Sequence, residues 1–328
     1  MPASRCTKIF DPKAGFAPLT DPVVVTDATV VWRDGRWWMY AAGKVMNRPG
    51  IQLFSASLPE GATLSASGWT LTADAADPSK LAMLAGQDVS GPWDLAGGRH
   101  CPAYVKGWDP DRNVWVERIY YAGGATAPWG PYTIGYLEWD GVQWAQQAAP
   151  VFSANEAWEQ GSVYEPNLIY DEGRWKMWYV AGSNAADYLV QGYAESEDGR
   201  NWSGRKIFCA AEEKVFDFCV IPVESGYEAV YSRVWLGSGP APEWAGLWWR
   251  QSRRASSELT DWSEPVQILM AEAEGWYGGP WKPSVIYDAA NPGRMFVFFD
   301  GLPPKPEDRL FAFAFTMGCL ELDRPVVL

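Results

Sequence analysis

Apolar and aromatic residues recur along the chain in blocks the size of a hairpin. Residues 27–43 read DATVVWRDGRWWMYAAG, and residues 165–182 read EPNLIYDEGRWKMWYVAG. In each block a β-branched apolar run meets a polar turn with glycine and then an aromatic run, which predicts an antiparallel β-hairpin. Residues 101–124, 217–233 and 282–301 follow the same plan. The pattern therefore predicts five repeated hairpins, whose equivalent first residues are Asp27, Cys101, Glu165, Asp217 and Lys282.

A third strand-like run follows each hairpin, and several repeats then close with a turn and a tryptophan. The third runs are IQLFSAS, YTIGYLEW, YLVQGYAES, GLWWRQS and RLFAFAF. Three to four short antiparallel strands per repeat are the content of a propeller blade. We therefore expect an all-β fold, a five-bladed β-propeller that forms a single domain over residues 1–328. A β-sandwich is the alternative, but it does not require the same hairpin five times. Only residues 78–88 have the pattern of a short helix.

The repeat predicts where functional residues meet. The first strand of each propeller blade lines the central channel, so the five first residues should form a ring at one mouth. That ring would contain three carboxylates and one ammonium group. The links expected at this mouth are long and rich in aromatic residues and proline, whereas the RDG and DEG turns of the opposite end are short. Function is therefore expected at the mouth that carries the ring.

Composition narrows the classes of function. The 27 Lys and Arg against 40 Asp and Glu give a net charge of −13, which argues against nucleic acid or an anionic membrane as a partner. No apolar run reaches the roughly 18–20 residues of a membrane helix, and the first residues lack the apolar region of a secretory signal, so a cytoplasmic location is expected. The 5 cysteines, without a CxxC pair, predict neither a disulfide framework nor a zinc site.

A five-bladed propeller in which an acid begins the first strand of blades one, three and four resembles the family 43 glycoside hydrolases and the related furanosidase and phosphorylase families. The resemblance lies in the repeat layout and covers residues 23–315. It implies a glycosidase that inverts the anomeric configuration and acts at the mouth of the propeller axis. Asp27, in TDATVVW, matches the general base. Glu165, in YEPN, matches the position of a pKa-tuning aspartate, and Asp217, in FDFC, matches the position of a general acid that is usually glutamate.

The order of the three acids departs from the family pattern, which leaves either Glu165 or Asp217 as the general acid. Cleaving a glycosidic bond needs one protonated carboxyl and one ionised carboxylate, and a third acid nearby keeps the donor protonated by repulsion between like charges. A propeller that binds carbohydrate without cleaving it, and a glycoside phosphorylase, are the alternative functions.

Further residues near the ring are candidates for substrate binding: Trp93, Arg99, His100, Trp158, Arg233, Trp281 and Lys282. Exposed tryptophan rings provide flat surfaces for sugars, while the three cations suit a substrate carboxylate or phosphate. His100 has the alternative role of holding a loop. A carbohydrate is the expected partner and no cofactor is required, although the resemblance leaves open a structural calcium ion on the axis.

Overall fold

Twenty β-strands account for most of the described part of the chain. The computed structural model describes residues 4–12, 14–46, 48, 50–86, 93–94, 98–124, 130–183, 188–235, 241–271, 279–301 and 315–325. Within these ranges the strands form five four-stranded antiparallel sheets.

Each sheet is one blade, and its strands follow one another in the chain. The N-terminal strand is β1 (Ser4–Phe10). Blade one contains β2 (Thr26–Arg33), β3 (Arg36–Gly43), β4 (Gln52–Ser57) and β5 (Thr70–Leu71). Blade two contains β6 (Gly98–Asp109), β7 (Val114–Gly124), β8 (Tyr132–Trp139) and β9 (Trp144–Gln146). Blade three contains β10 (Val163–Asp171), β11 (Arg174–Ser183), β12 (Tyr188–Ser196) and β13 (Trp202–Cys209).

The last two blades follow the same order until the ring closes. Blade four contains β14 (Val215–Val223), β15 (Gly226–Arg233), β16 (Gly246–Ser252) and β17 (Val266–Met270). Blade five contains β18 (Pro280–Asp288), β19 (Asn291–Gly301) and β20 (Thr316–Asp323), and β1 pairs antiparallel with β20 to complete it. The inner strands β2, β6, β10, β14 and β18 contact one another in turn, and β18 contacts β2. The five-bladed propeller is confirmed.

Two local predictions are not confirmed by the structure. The helix expected over residues 78–88 is wrong where the structure describes it, because residues 78–86 form turns and the isolated bridges Ala73↔Leu81 and Phe54↔Met83. The third run predicted for blade five, RLFAFAF at 309–315, lies outside the described residues except for Phe315, and the third strand described there is β20. The outer strand β1 was not predicted.

The hydrophobic core is divided among the interfaces between blades. Five clusters of buried residues each join two neighbouring sheets, with Met39 and Phe298 in the cluster between blades one and five. Trp175 and Trp178 are fully buried on blade three and face opposite neighbours, because successive packing positions alternate between the two sides of a sheet. This packing fixes the inner strands around the channel.

The inner hairpins end in tight turns far from the ring. Asp34 and Gly35 have φ values of 50° and 76°, and Glu172 and Gly173 have values of 49° and 78°. Two consecutive residues with positive φ are typical of type I′ turns, which match the twist of paired strands. These turns place the short connections at the end opposite the ring. In the described part of the chain, no helix has the length and apolar character needed to cross a membrane.

Candidate functional site

The five ring residues share an uncommon backbone conformation. Asp27, Cys101, Glu165, Asp217 and Lys282 all have positive φ, between 48° and 57°. At each of them the pairing of the first and second strands shifts register, as between Thr26 and Thr29. Non-glycine residues in this region cost about 1–3 kcal/mol each and persist where the surroundings hold them. A β-bulge at every blade therefore turns the ring residue out of the regular alternation of its strand.

Hydrogen bonds between blades stabilise these bulges. The backbone N–H of Cys101 donates to Asp27 Oδ2 at 3.3 Å, and the N–H of Lys282 donates to Asp217 Oδ2 at 2.9 Å. Below the ring, Val30 N–H donates to Ser284 Oγ at 3.2 Å. The structure thus brings the five predicted residues together, and two of the acids satisfy backbone groups of the next blade.

Exposure separates the three predicted acids. The side chains of Asp27 and Glu165 are 10% and 13% exposed, whereas Asp217 is 0% exposed. Glu165 and Asp217 lie on the neighbouring strands β10 and β14, and their carboxyls interact with each other. Asp27 and Glu165 therefore keep a small exposed fraction at the mouth, whereas Asp217 has none.

Burial and the repulsion between like charges raise the pKa values of Glu165 and Asp217. Burial raises the pKa of Asp217 well above its usual range, and the nearby Glu165 carboxylate raises it further. Burial also raises the pKa of Glu165, against the opposing effect of the Lys282 ammonium group and with a contribution from Asp27. The pair therefore retains a proton at a pH at which an ordinary carboxyl has lost it.

Lys282 is a buried counterion of the acids, and its contact with substrate stays a prediction. The residue is 2% exposed, with Nζ 3.6 Å from Glu165 Oε2 and 3.5 Å from the carbonyl oxygen of Pro166. Burial opposes its charged form, but Glu165 and Asp217 outweigh that effect and raise the pKa of Lys282. Its ammonium group is therefore charged and is directed toward the acids.

A fourth acid, Asp300 on β19, completes the site and was missed from the sequence. Asp300 is 0% exposed, and its Oδ2 accepts the backbone N–H of Asp27 at 2.6 Å. The strand pairing places Asp300 opposite Trp281. The equivalent positions in blades one to four are Ala42, Ala122, Val180 and Ser232. A carboxyl where the other repeats have small or apolar side chains was the signal that could have identified it.

Aromatic residues line the mouth just before the ring positions. His100, Tyr164, Phe216 and Trp281 directly precede ring residues. Phe216 and Trp281 stack with centroids 5.9 Å apart, and the ring of His100 lies 5.4 Å from that of Tyr132. His100 Nδ1 is 4.0 Å from Asp27 Oδ2, and the His100 side chain is 24% exposed. His100 and Trp281 thus lie at the mouth as predicted, and their contact with a substrate stays a prediction.

Arg99 and Trp93 have structural surroundings that differ from the predicted role. Arg99 is 1% exposed, and its Nε donates to Asp94 Oδ2 at 3.0 Å, while its contact with substrate stays a prediction. The ring of Trp93 stacks on Tyr121 at 5.4 Å and fills space that a Cβ at Gly123 or Gly135 would occupy. Packing between strands accounts for Trp93.

Trp158 and Arg233 occupy different settings. Trp158 packs against Tyr179 at 6.2 Å and against Gly192, inside the interface between blades two and three. Arg233 ends β15 with its guanidinium 4.8 Å above the ring of Trp248 and 3.6 Å from Glu213 Oε2. Arg233 borders a cavity of about 200 Å³, and its contact with substrate stays a prediction.

The ring does not fit a calcium ion on the axis. The Lys282 ammonium group lies against Glu165, where a cation would otherwise balance the acids. Within the described ranges, no group of three or more His, Cys, Asp or Glu side chains is arranged to hold a metal ion. A buried ammonium group and a divalent cation repel each other, so the described residues do not support the calcium ion.

Comparison with known proteins identifies similar folds. No protein-family model and no curated protein sequence matches the chain. A solved glycoside hydrolase has a TM-score of 0.66 and 17% identity, over 95% of this chain and 92% of that one. The catalytic domain of Coprinopsis cinerea GH62 alpha-L-arabinofuranosidase has a TM-score of 0.60 and 14% identity, over 98% of each chain. A thermostable family-43 glycoside hydrolase has a TM-score of 0.61 and 14% identity, over 95% of this chain and 96% of that one. The likeness shows a shared fold over nearly the whole chain.

Proposed function

We propose that this protein is a glycoside hydrolase that acts at the mouth of the propeller axis. The observation that carries the proposal is the pairing of two accessible carboxyls, Asp27 and Glu165, with a buried acid behind Glu165. Glycosidases need one carboxylate and one carboxylic acid on the two sides of the scissile bond. The structural likeness to glycoside hydrolases supports the same class of reaction.

In this proposal Asp27 is the general base and Glu165 the general acid. Asp217 has the sequence position of the acid in the family that the chain resembles, but its full burial leaves no path for a leaving oxygen to reach it. Glu165 has one more methylene group and a partly exposed side chain. Asp217 then acts through Glu165, because two neighbouring carboxyls, one of them fully buried, hold a shared proton more tightly than either would alone.

In this proposal the reaction is a single displacement with inversion, which is the stereochemistry that the resemblance implies. The distance between the Asp27 and Glu165 carboxyls tests this assignment. Asp27 and Glu165 lie on β2 and β10, and β6 lies between these strands in the ring. Inverting enzymes hold their carboxyls roughly 6.5–9.5 Å apart to leave room for water, whereas retaining enzymes bring them to roughly 5–5.5 Å. Asp27 takes a proton from the water that attacks the anomeric carbon, and Glu165 gives its proton to the leaving oxygen.

The cations disfavour the phosphorylase alternative. Phosphorolysis needs an anion site beside the sugar, and Arg99 and Lys282 are 1% and 2% exposed and directed at carboxylates of the chain. Arg233 is near Glu213. These three cations therefore lie close to acids of the protein, which favours water as the acceptor.

A panel of nitrophenyl glycosides, assayed with and without phosphate, tests the proposal. The panel starts with the α-L-arabinofuranoside because one structural neighbour is an α-L-arabinofuranosidase. We expect hydrolysis of at least one member, independent of phosphate and with an inverted anomeric product by NMR. Turnover that requires phosphate would indicate a phosphorylase, and binding without turnover would indicate a carbohydrate-binding propeller.

The choice of general acid has its own test. Glu165→Gln should lose far more activity on substrates with poor leaving groups than on dinitrophenyl glycosides, because a good leaving group needs no proton. Asp217→Asn is the matched variant, and its loss of activity should be similar for substrates with poor and with good leaving groups. The opposite pattern would assign the acid to Asp217.

A further inference from the structure

The buried acid Asp300 has no role in the reaction proposed above, although it contacts the proposed base directly. It comes from the second strand of blade five, 273 residues along the chain from Asp27. Closure of the ring brings β19 against β2. The contact therefore exists only in the closed propeller.

The two oxygens of Asp300 have different surroundings. Oδ2 accepts the N–H of Asp27 at 2.6 Å, which supports the bulge where Asp27 has a φ of 51°. Oδ1 is buried, and no hydrogen-bond donor reaches it from the described residues. An ionised Oδ1 would therefore be an unsatisfied buried charge, whereas a protonated carboxyl can donate to the Asp27 carboxylate, whose side chain interacts with that of Asp300.

Within the described residues, two acids have the largest electrostatic effect on Asp300. Asp27 on β2 and Glu165 on β10 both act on its carboxyl. Burial raises the pKa of Asp300 well above its usual range, and the Asp27 carboxylate raises it further. Lys282, the cation of the ring, lies against Glu165 and the carbonyl of Pro166.

We propose that Asp300 holds a proton at neutral pH and is a positioning residue for Asp27. One of its oxygens accepts the Asp27 N–H, and the other donates its proton to the Asp27 carboxylate. This two-point contact fixes the bulge and the carboxylate together. The inference rests on the proposed function only for the role of Asp27.

Asparagine reproduces both contacts of a neutral Asp300, and alanine reproduces neither. Comparing Asp300→Asn with Asp300→Ala therefore distinguishes a protonated Asp300 from an ionised one. With the native pKa raised, the wild type binds more protons when folded than when unfolded. The resulting stability is full below the unfolded pKa of about 3.9 and is lost as pH rises through the native pKa. Asp300→Asn lacks this loss, so its free energy of unfolding relative to wild type should increase with pH over that window.

Asp94→Asn is the control for stability. Asp94 is also 0% exposed, but Arg99 pairs with it at 3.0 Å. The amide leaves that guanidinium buried without a counter-charge, so Asp94→Asn should destabilise the protein at neutral pH. Infrared spectra should show the carbonyl stretch of a buried carboxylic acid in the wild type, reduced in Asp300→Asn. An unchanged spectrum and an unchanged pH dependence of stability would overturn the proposal.

Kinetics then test the positioning role. On a substrate of the wild type, kcat of Asp300→Ala should fall about tenfold or more below that of Asp300→Asn, with similar KM, because a misplaced base affects the chemical step. Equal kcat values for the two variants would refute positioning. If no glycoside is cleaved, the stability and infrared measurements still decide whether Asp300 holds the proton.

Discussion

Two regions of the propeller bury carboxylates in opposite ways. At the end of β6, far from the ring, Asp109 is 0% exposed and lies within 3.1 Å of nitrogen atoms of Arg112, Arg118 and Arg200. At the mouth, Asp217 and Asp300 are also 0% exposed. The mouth cluster consists of the acids Asp27, Glu165, Asp217 and Asp300. Within the described residues, Lys282 is the only Lys or Arg whose side-chain nitrogen lies within 4.0 Å of a carboxyl oxygen of this cluster.

The difference shows that the charges around an acid can oppose or reinforce the effect of burial on its protonation. At Asp109 burial favours the neutral acid, but hydrogen bonds and attraction from Arg112 outweigh it and lower the pKa. At Asp217 and Asp300 neighbouring acids add to burial, and the pKa of each is raised. The arginine-rich cluster joins blades, since Arg118 also donates to the carbonyl oxygen of Asp198 at 2.7 Å. The acid-rich cluster retains protons, which suits acid–base chemistry.

The largest expected effect is on turnover at the mouth. Asp27→Asn keeps an oxygen for the Cys101 N–H but removes the base, so kcat/KM should fall about 10²–10⁴-fold with little change in melting temperature. Asp34→Asn, in a far-end turn with a side chain 73% exposed, is the control and should leave turnover unchanged. Turnover of Asp27→Asn at the level of this control would remove Asp27 from the mechanism.

The next largest effect is on stability at the far end. Asp109→Asn leaves the fully buried guanidinium of Arg118 without one of its counter-charges, so the free energy of unfolding should fall by about 3–5 kcal/mol. Denaturant titration measures the loss, and kcat/KM at low temperature should stay near the wild-type value. A stable Asp109→Asn would contradict the structural role of the arginine cluster.

A smaller effect is expected on the pH profile when the ring cation is removed. Lys282→Met leaves Glu165 with burial and neighbouring acids but without the ammonium group that lowers its pKa. The alkaline limb of kcat/KM should move to higher pH, because the general acid keeps its proton longer. Lys176→Met is the matched control, since Lys176 pairs with Asp171 at 2.5 Å at the far end. An unmoved limb in Lys282→Met would mean that Lys282 does not tune the acid.

The smallest effect is on the stability of Asp217→Asn. An amide can accept the Lys282 N–H and donate to Glu165, so the free energy of unfolding at neutral pH should change by no more than about 1 kcal/mol. Because the raised native pKa of Asp217 makes the wild type lose stability as pH rises, the variant should gain relative to wild type. A loss as large as that of Asp109→Asn would show that Asp217 is ionised.

The sequence predicts the fold because the signal is local and repeated. Each hairpin carries its own turn and apolar pattern, and the equivalence of Asp27, Glu165 and Asp217 follows from aligning the repeats. The closing strand β1 has no repeat partner nearby in the chain, and its contact with β20 exists only after the ring closes. Asp300 lies in a predicted hairpin, but its contact with Asp27 joins blades one and five and exists only in the closed ring.

Several side chains at the site have partners that an alignment of the repeats does not contain. Arg99 lies near the start of the inner strand β6, but Asp94 lies close enough to pair with it inside the fold. Lys282 occupies a ring position, yet its side chain turns inward because Glu165 and Asp217 attract it. Position along a repeat predicts where a residue lies, whereas charge partners from other blades decide where its side chain points.

Carbon-13 NMR of aspartate carboxyls tests the contrast between the two regions most directly, with signals assigned through Asp109→Asn and Asp217→Asn. At neutral pH we predict the chemical shift of a carboxylic acid for Asp217 and that of a carboxylate for Asp109. A carboxylate signal from Asp217 at neutral pH would contradict the account.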